Sequence, residues 1–252
     1  MRHLVARDRR LASGDDVGNH SRMAGGTIRH LWLGFALAFA IMVAGFWPTA
    51  IGGAGGPLDG LRIVHGTLAA TWMAMLVAQS WLAGWWRLTW HRRIGWSSVA
   101  IVPALVLSSI LVVQDELRHS TYFAPDLRIT LTWLDLCSLV LFCGLWAAAI
   151  ATRRRWQRHA RWVGCTVLVV LPPVLGRLLG GPFGSLTAAL PPTYAIVSAI
   201  PLALIVRDRL RGGYPLPYAI TFAGIAAPAA TMFAAPHWVW FVAFCEAIGP
   251  VG

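Results

Sequence analysis

The stretch ITLTWLDLCSLVLFCGLWAAAIAT, residues 129–152, carries one charged side chain, Asp135, among 24 positions. A bilayer hydrocarbon core about 30 Å thick is crossed by about 20 helical residues. A strand of an outer-membrane barrel would instead show about 10 residues that alternate between apolar and polar. This stretch is too long and too uniformly apolar for such a strand, and it therefore predicts a transmembrane helix.

Six further segments of similar length and character fill most of the remaining chain. We therefore predict an all-α polytopic membrane helix bundle with seven transmembrane segments, numbered here in chain order. The composition agrees, with 57% hydrophobic and 12% charged residues, whereas soluble domains carry about 25% charged residues. A soluble enzyme, a disordered chain and a disulfide-stapled secreted domain are thereby excluded. The segments are Leu31–Ile51, Ile63–Trp86, Ile94–Val113, Ile129–Thr152, Trp162–Leu179, Thr187–Val206 and Leu216–Pro236.

The basic residues predict the orientation of these segments. All 21 are arginine, so a retinal photoreceptor, which needs a lysine amine for its Schiff base, is excluded. Seventeen lie in the N-terminal tail and the second, fourth and sixth connections, and three lie in the other connections. Cytoplasmic loops carry the arginine excess, so the N-terminus is predicted inside and the C-terminus outside. Short arginine clusters between apolar segments indicate orientation, and we do not expect a nucleic-acid partner.

The predicted domains follow from this topology. Residues 1–30 are expected to form a flexible cytoplasmic tail, and residues 31–252 a single seven-helix transmembrane domain. The residues after Pro236 either extend the seventh segment or lie along the outer interface. The lysine-free composition, rich in Ala, Gly, Arg and Trp, is typical of a high-GC bacterial genome. We therefore expect a multi-pass protein of the bacterial inner (plasma) membrane.

Two charged residues lie clearly within segments. Asp135 is in the fourth segment and Arg177 is near the outer end of the fifth, which places them at similar depth in antiparallel neighbours. Ionisable groups inside a membrane are costly and mark candidate functional sites. One interpretation is a structural ion pair between the two segments. A second is a substrate or proton site open to the outer face, and a third is an Arg177 side chain that reaches the interface without a partner.

The second segment carries a stripe of polar and aromatic residues. His65, Trp72, Gln79 and Trp86 recur every seven residues, and a step of seven drifts only about 20° around a helix. The stripe is predicted to face into the bundle. It is either a packed face with hydrogen bonds to neighbouring helices or the wall of a ligand cavity.

Histidines elsewhere suggest two further kinds of site. His65 and His237 are the possible axial pair for a b-type haem near the outer face. His91, Arg93, His159 and Arg161 lie in the inner turns and are predicted to contact lipid headgroups. Arginine's planar fork suits phosphate. A separate acidic group between the third and fourth segments is expected to form a solvated loop, and loose binding of a cation is the alternative. Its members are Asp115, Glu116, His119 and Asp126.

The two inner turns also form a weak repeat. A shift of 68 residues aligns Arg87 with Arg155, His91 with His159, and Arg93 with Arg161. The chain resembles a family of uncharacterised bacterial seven-span membrane proteins. The resemblance rests on His65 and Gln79 in the second segment, an HR-x-x-G turn at 91–95 and the Arg158–Arg161 turn. It covers roughly residues 60–180 and implies the seven-span topology without an activity.

Together these features predict a small-molecule binding or transport-related membrane protein. Its cavity near the outer face would be lined by His65, Gln79, Asp135 and Arg177. The alternatives are a haem-binding membrane redox protein or subunit, and a structural accessory subunit. The predicted partner is the lipid bilayer, with membership of a membrane complex left open. The sequence shows no HExxH, GxSxG or Walker motif. It leaves open whether the protein is an enzyme, and b-type haem is the one cofactor for which it offers candidate ligands.

Overall fold

The computed structural model describes residues 30–50, 59–119 and 123–249. The predicted N-terminal tail, apart from His30, lies outside these ranges. Within them the chain is helical, which confirms the all-α prediction. The elements are α1 (Leu31–Ala50), α2 (Gly60–Gly84), α3 (Leu88–Trp96), α4 (Ser98–His119), α5 (Pro125–Ala151), α6 (Trp156–Gly180), α7 (Leu186–Leu210), α8 (Leu216–Thr231), a 3-10 turn (Ala235–His237) and α9 (Val239–Ile248).

Six stretches of the described chain are long and apolar enough to cross a membrane. The helix α8, with 16 residues, is shorter than these. A bilayer requires roughly 20 helical residues, and the six stretches have 18 to 32 residues each. The chain is therefore an integral multi-span membrane protein. The stretches are Leu31–Pro48, Gly60–Gly84, Leu88–His119 (α3 and α4 together), Pro125–Ala151, Trp156–Gly180 and Leu186–Leu210.

The described residues divide into two compact units. The smaller unit comprises residues 30–39 and 69–102, and the larger unit comprises residues 40–50, 59–68, 103–119 and 123–249. Helices α1, α2 and α4 each contribute residues to both.

The core of the larger unit is built around α6. Half of the apolar window of α6 is buried, and it packs against α5 and α7. Close packing of apolar side chains holds these helices together, since lipid gives no hydrophobic driving force between them. The central cluster comprises Leu134, Leu168, Leu171, Leu190, Tyr194, Val197, Ile225 and Met232.

A second cluster closes one end of the larger unit. Phe241 and Cys245 of α9 are buried there with Leu117 of α4 and Ile129 of α5. The indole Nε1 of Trp133 donates to Thr231 Oγ1 at 3.1 Å. We call this end, where α4 ends and α5 begins, the Arg62 end.

The opposite end of the larger unit holds the turn between α5 and α6. We call it the Arg161 end. There the Arg158 guanidinium lies 4.5 Å from the ring centre of Tyr214, in the connection between α7 and α8. The helix α8 therefore starts beside the Arg161 end, and its last residue, Thr231, contacts Trp133 near the Arg62 end.

The start of the third segment differs from the prediction. Residues 94–96 belong to the short helix α3, which ends at Trp96, and α4 begins at Ser98. The α3 helix has no buried residues, and its Trp90 and Trp96 are exposed. Amphipathic aromatic side chains of this kind are typical of a membrane interface, so α3 is better suited to lie along an interface than to span.

Candidate functional site

Charged side chains converge at the Arg62 end. Arg62, in the first turn of α2, forms ion pairs with Asp59, with Asp115 at 3.0 Å and with Glu116 at 3.1 Å. The predicted solvated loop is wrong for Asp115, Glu116 and His119, because these residues lie in the last turns of α4. Asp126 lies in the first turn of α5. Helix α4 continues past its apolar residues to His119. The Arg62 guanidinium pairs with Asp115 and Glu116 and so stabilises this last, acidic turn of the helix.

Asp135 occupies an unusual face of α5. Its side chain is exposed, whereas Phe142 and Leu145 mark the buried face of the same helix. At 3.6 residues per turn, Asp135 lies about 50° from that buried face and about 150° from the exposed stripe. Asp135 therefore points away from the exposed, small and apolar stripe of α5, which is the face expected to contact lipid. The exposed stripe consists of Val140, Gly144, Ala147 and Ala151.

The predicted ion pair between Asp135 and Arg177 is not formed in the structure. Among the described residues, Asp135 makes no hydrogen bond or ion pair, although the charges of Arg177 and Glu116 reach it electrostatically. The charge of each residue acts on the other, so the similar depth of Asp135 and Arg177 stays a prediction, whereas a direct ion pair is not formed.

Arg177 is held by other partners. Its Nη1 donates to the carbonyl oxygen of Pro173 at 2.9 Å, and its guanidinium carbon lies 4.5 Å from the ring centre of Phe46 in α1. No carboxylate oxygen of the described chain lies within ion-pair distance of it. Asp135 and Arg177 are both exposed, and the charge of each acts on the other. The region between these two side chains is called the Asp135–Arg177 crevice, and Phe46 lies on its Arg177 side.

A close helix contact places Phe46. A Cβ atom on Gly45 would lie 2.6 Å from Val174 Cγ1 and 3.0 Å from Val174 O. Only glycine allows α1 to approach α6 this closely, which is how small residues act at membrane helix interfaces. Phe46 follows Gly45 directly, and Arg177 lies about one turn beyond Val174, so this contact brings the ring onto the guanidinium.

The stripe on α2 is partly confirmed. His65 is half-buried with its Nδ1 3.1 Å from Ser108 Oγ, and Trp72 and Gln79 are buried. Trp86 was wrongly included. It is 78% exposed and follows the end of α2 with φ of 60°, so the stripe ends before it.

Gln79 meets the HR-x-x-G turn in the smaller unit. The His91 ring donates from Nδ1 to the Gln79 carbonyl oxygen at 3.1 Å. A Cβ atom on Gly95 would lie 3.8 Å from both amide atoms of Gln79. Those two atoms are buried without a hydrogen-bond partner among the described residues. Gln79 and the HR-x-x-G turn are thus in contact within the smaller unit, whereas Asp135 and Arg177 belong to the larger unit.

The repeat of inner turns is reproduced in the geometry of each turn. His159 Nδ1 donates to the Ala149 carbonyl oxygen at 2.9 Å, as His91 does to Gln79. Helices α3 and α6 start at Leu88 and Trp156, a shift of 68 residues. Both histidines therefore tie a new helix to the end of the preceding one.

Arg161 and Arg93 differ in their partners. Arg161 Nε donates to Asp208 Oδ2 at 2.9 Å, and the Asp208 side chain is only 5% exposed. The Arg161 guanidinium thus already has a carboxylate, which a lipid phosphate would have to displace. Arg93 is exposed and lies 5.6 Å from the Trp90 ring centre. Headgroup binding by His91, Arg93, His159 and Arg161 stays a prediction.

Haem binding by His65 and His237 stays a prediction. His65 has Ser108 as its partner, and His237 is exposed in the 3-10 turn. Within the described ranges, no group of three or more His, Cys, Asp or Glu side chains could hold a metal ion.

Sequence reasoning missed two residues that shape these sites. Asp208 falls in the sixth predicted connection, yet it is buried and pairs with Arg161 and Arg207. Its position between Arg207 and Arg209 was the available signal. Phe46 carried no signal, because its role depends on the packing of α1 against α6.

Comparison with known proteins adds no identification. No family model, curated protein or solved structure matches the chain. The structure alone therefore defines the class, a polytopic helical membrane protein with six candidate spans.

Proposed function

We propose that this protein binds a small molecule in the Asp135–Arg177 crevice, which opens at the outer face of a bacterial inner membrane and serves binding or transport. The observation that carries the proposal is the accessible carboxylate of Asp135 on the inward part of a spanning helix. A charge at this depth costs several kcal/mol in hydrocarbon. Direct pairing with Arg177 would have offset that cost, and its absence favours a site that receives water and a ligand.

The same proposal includes seven spans with the N-terminus inside. Two contacts support a crossing by α8: Tyr214 lies beside Arg158 at the Arg161 end, and Thr231 accepts from Trp133 near the Arg62 end. Its 16 residues extend about 24 Å, and the 3-10 turn after it adds length. The arginine excess at the Arg161 end favours the cytoplasm for that end.

Thiol accessibility tests the crevice. In a variant without the natural cysteines (Cys137, Cys143, Cys165 and Cys245), Asp135→Cys should react with a charged, membrane-impermeant methanethiosulfonate added to intact cells. Matched controls are Val140→Cys on the exposed stripe and Leu145→Cys in the core, where hydrocarbon or packing suppresses the thiolate. If position 135 reacts no faster than position 140, the crevice is not open to water and the proposal is wrong.

Epitope insertion tests the topology separately. Gly212 and Gly184 lie in exposed turns with positive φ, so an insertion after either should be tolerated. The epitope after Gly212 should be labelled only in permeabilised cells, and the one after Gly184 in spheroplasts. If the epitope after Gly212 is labelled in spheroplasts and the one after Gly184 only in permeabilised cells, the predicted orientation is wrong.

A further inference from the structure

We propose that the ligand of the Asp135–Arg177 crevice is a small zwitterion, with its carboxylate on Arg177 and its ammonium group on Asp135. This inference rests on the proposed function and adds the chemical class of the ligand. It follows from the hydrogen-bonding edge that Arg177 leaves free and from the balance of charges around the crevice.

Arg177 presents a prepared edge for a carboxylate. Its Nη1 is used by the Pro173 carbonyl oxygen, and Phe46 covers one face of the guanidinium. The parallel N–H groups of Nε and Nη2 therefore remain for a bidentate bond to a carboxylate. Arg62 makes the contrast clear, because three carboxylates already surround it.

Asp135 supplies the complementary charge. Glu116 is the other acidic group whose charge reaches it, and Glu116 is already paired with Arg62 at 3.1 Å. The crevice thus holds one positive and one negative side chain without an ion-pair partner in the described chain. A purely anionic ligand would satisfy Arg177 and repel Asp135, and a purely cationic ligand would do the reverse. A zwitterion satisfies both and leaves the net charge unchanged.

A series of amino acids with increasing charge separation tests the inference. The probes are glycine, β-alanine, 4-aminobutyrate, 5-aminopentanoate and 6-aminohexanoate, added to the purified full-length protein in detergent. At least one should raise the midpoint of thermal unfolding in a saturable way, since a ligand that binds the folded state stabilises it. Its amide and its N-acetyl derivative, each lacking one charge, should bind at least about tenfold more weakly, a loss of about 1.4 kcal/mol.

Variants assign the two charges. Arg177→Gln should weaken binding of the active amino acid by at least about tenfold, and so should Asp135→Asn. Arg118→Gln is the matched control, because Arg118 donates to the Ile248 carbonyl oxygen and should leave binding unchanged. If a variant does not fold, the two derivatives still decide the outcome on the unaltered protein.

The inference is overturned if no probe is saturable or if a singly charged derivative binds as well as its parent. If either of these results is found while the thiol at position 135 reacts from outside, the crevice stands and only the zwitterion is rejected. An inaccessible thiol would reject the crevice itself.

Discussion

The Arg177 guanidinium carbon lies 4.5 Å from the centre of the Phe46 ring. Cation–π contacts of this kind contribute roughly 0.5–2 kcal/mol, depending on desolvation. The contact ties α1 to α6 and fixes which edge of the guanidinium remains available. Its geometry depends on the glycine that precedes Phe46.

Replacement of Gly45 should therefore disturb both packing and ligand binding. Gly45→Val places side-chain atoms against Val174, whose backbone oxygen would lie 3.0 Å from the new Cβ. Overpacking of this kind costs about 1–3 kcal/mol, measured as a lower midpoint of thermal unfolding. Gly34→Val in the same helix is the control, because a Cβ atom on Gly34 would have nothing within 4 Å. Equal effects of the two changes would refute the close contact.

Loss of the Asp208 carboxylate should destabilise the Arg161 end. Breaking a buried ion pair by removing one partner costs about 3–5 kcal/mol, and the 22% exposure of the Arg161 side chain favours the lower part of that range. Asp208→Leu should thus lower the unfolding midpoint more than Asp208→Leu combined with Arg161→Leu. Glu246→Gln, at an exposed acidic residue of α9, serves as the control. A double variant no more stable than the single one would argue against the pair.

The start of α2 should contribute a pH-dependent stability. The Arg62 backbone N–H donates to Asp59 Oδ1 at 2.7 Å, and this bond, together with the Arg62 side chain, lowers the pKa of the Asp59 carboxyl. A lowered folded-state pKa gives stability that is present above the unfolded pKa, near 3.8, and is lost as the pH falls. The unfolding midpoint of Asp59→Asn should therefore fall less than that of the natural protein from about pH 6 to about pH 3. Identical acid profiles would contradict this role.

The buried side-chain amide of Gln79 should lower the stability of the folded protein. A buried polar group without a hydrogen bond costs about 1–3 kcal/mol, and both amide atoms of Gln79 lack a partner in the described chain. Gln79→Met keeps the length of the side chain and removes this cost, so the unfolding midpoint should stay equal or rise. Gln79→Ala leaves a cavity and should lower it. A decrease for methionine as large as for alanine would indicate that the amide has a partner, such as water or a ligand.

Periodicity and charge predicted the local features of this fold well. Each long helix needs about 20 apolar residues, and that requirement can be read along the chain, as in residues 129–152 around Asp135. The 68-residue repeat also led to two equivalent turns, because His91 and His159 act on backbone groups close in sequence. Local hydrogen bonds of this kind follow from local sequence.

Relationships between helices could not be read in the same way. The depth of Asp135 relative to Arg177 depends on how far α5 is shifted along α6, and apolar leucines allow many shifts. Phe46 and Asp208 became important only through contacts with distant helices. The end of α4 was misplaced because Arg62, far away in sequence, stabilises the acidic turn that composition alone assigns to a loop.

The central claim is that Asp135 faces water inside the bundle. A spin label at position 135, in the variant without natural cysteines, reports this through its relaxation by a water-soluble nickel chelate and by oxygen, which concentrates in lipid. We predict that the nickel chelate dominates at position 135 and that oxygen dominates at Val140→Cys, on the exposed stripe of the same helix. Oxygen dominance at both positions would place Asp135 against lipid and contradict the claim.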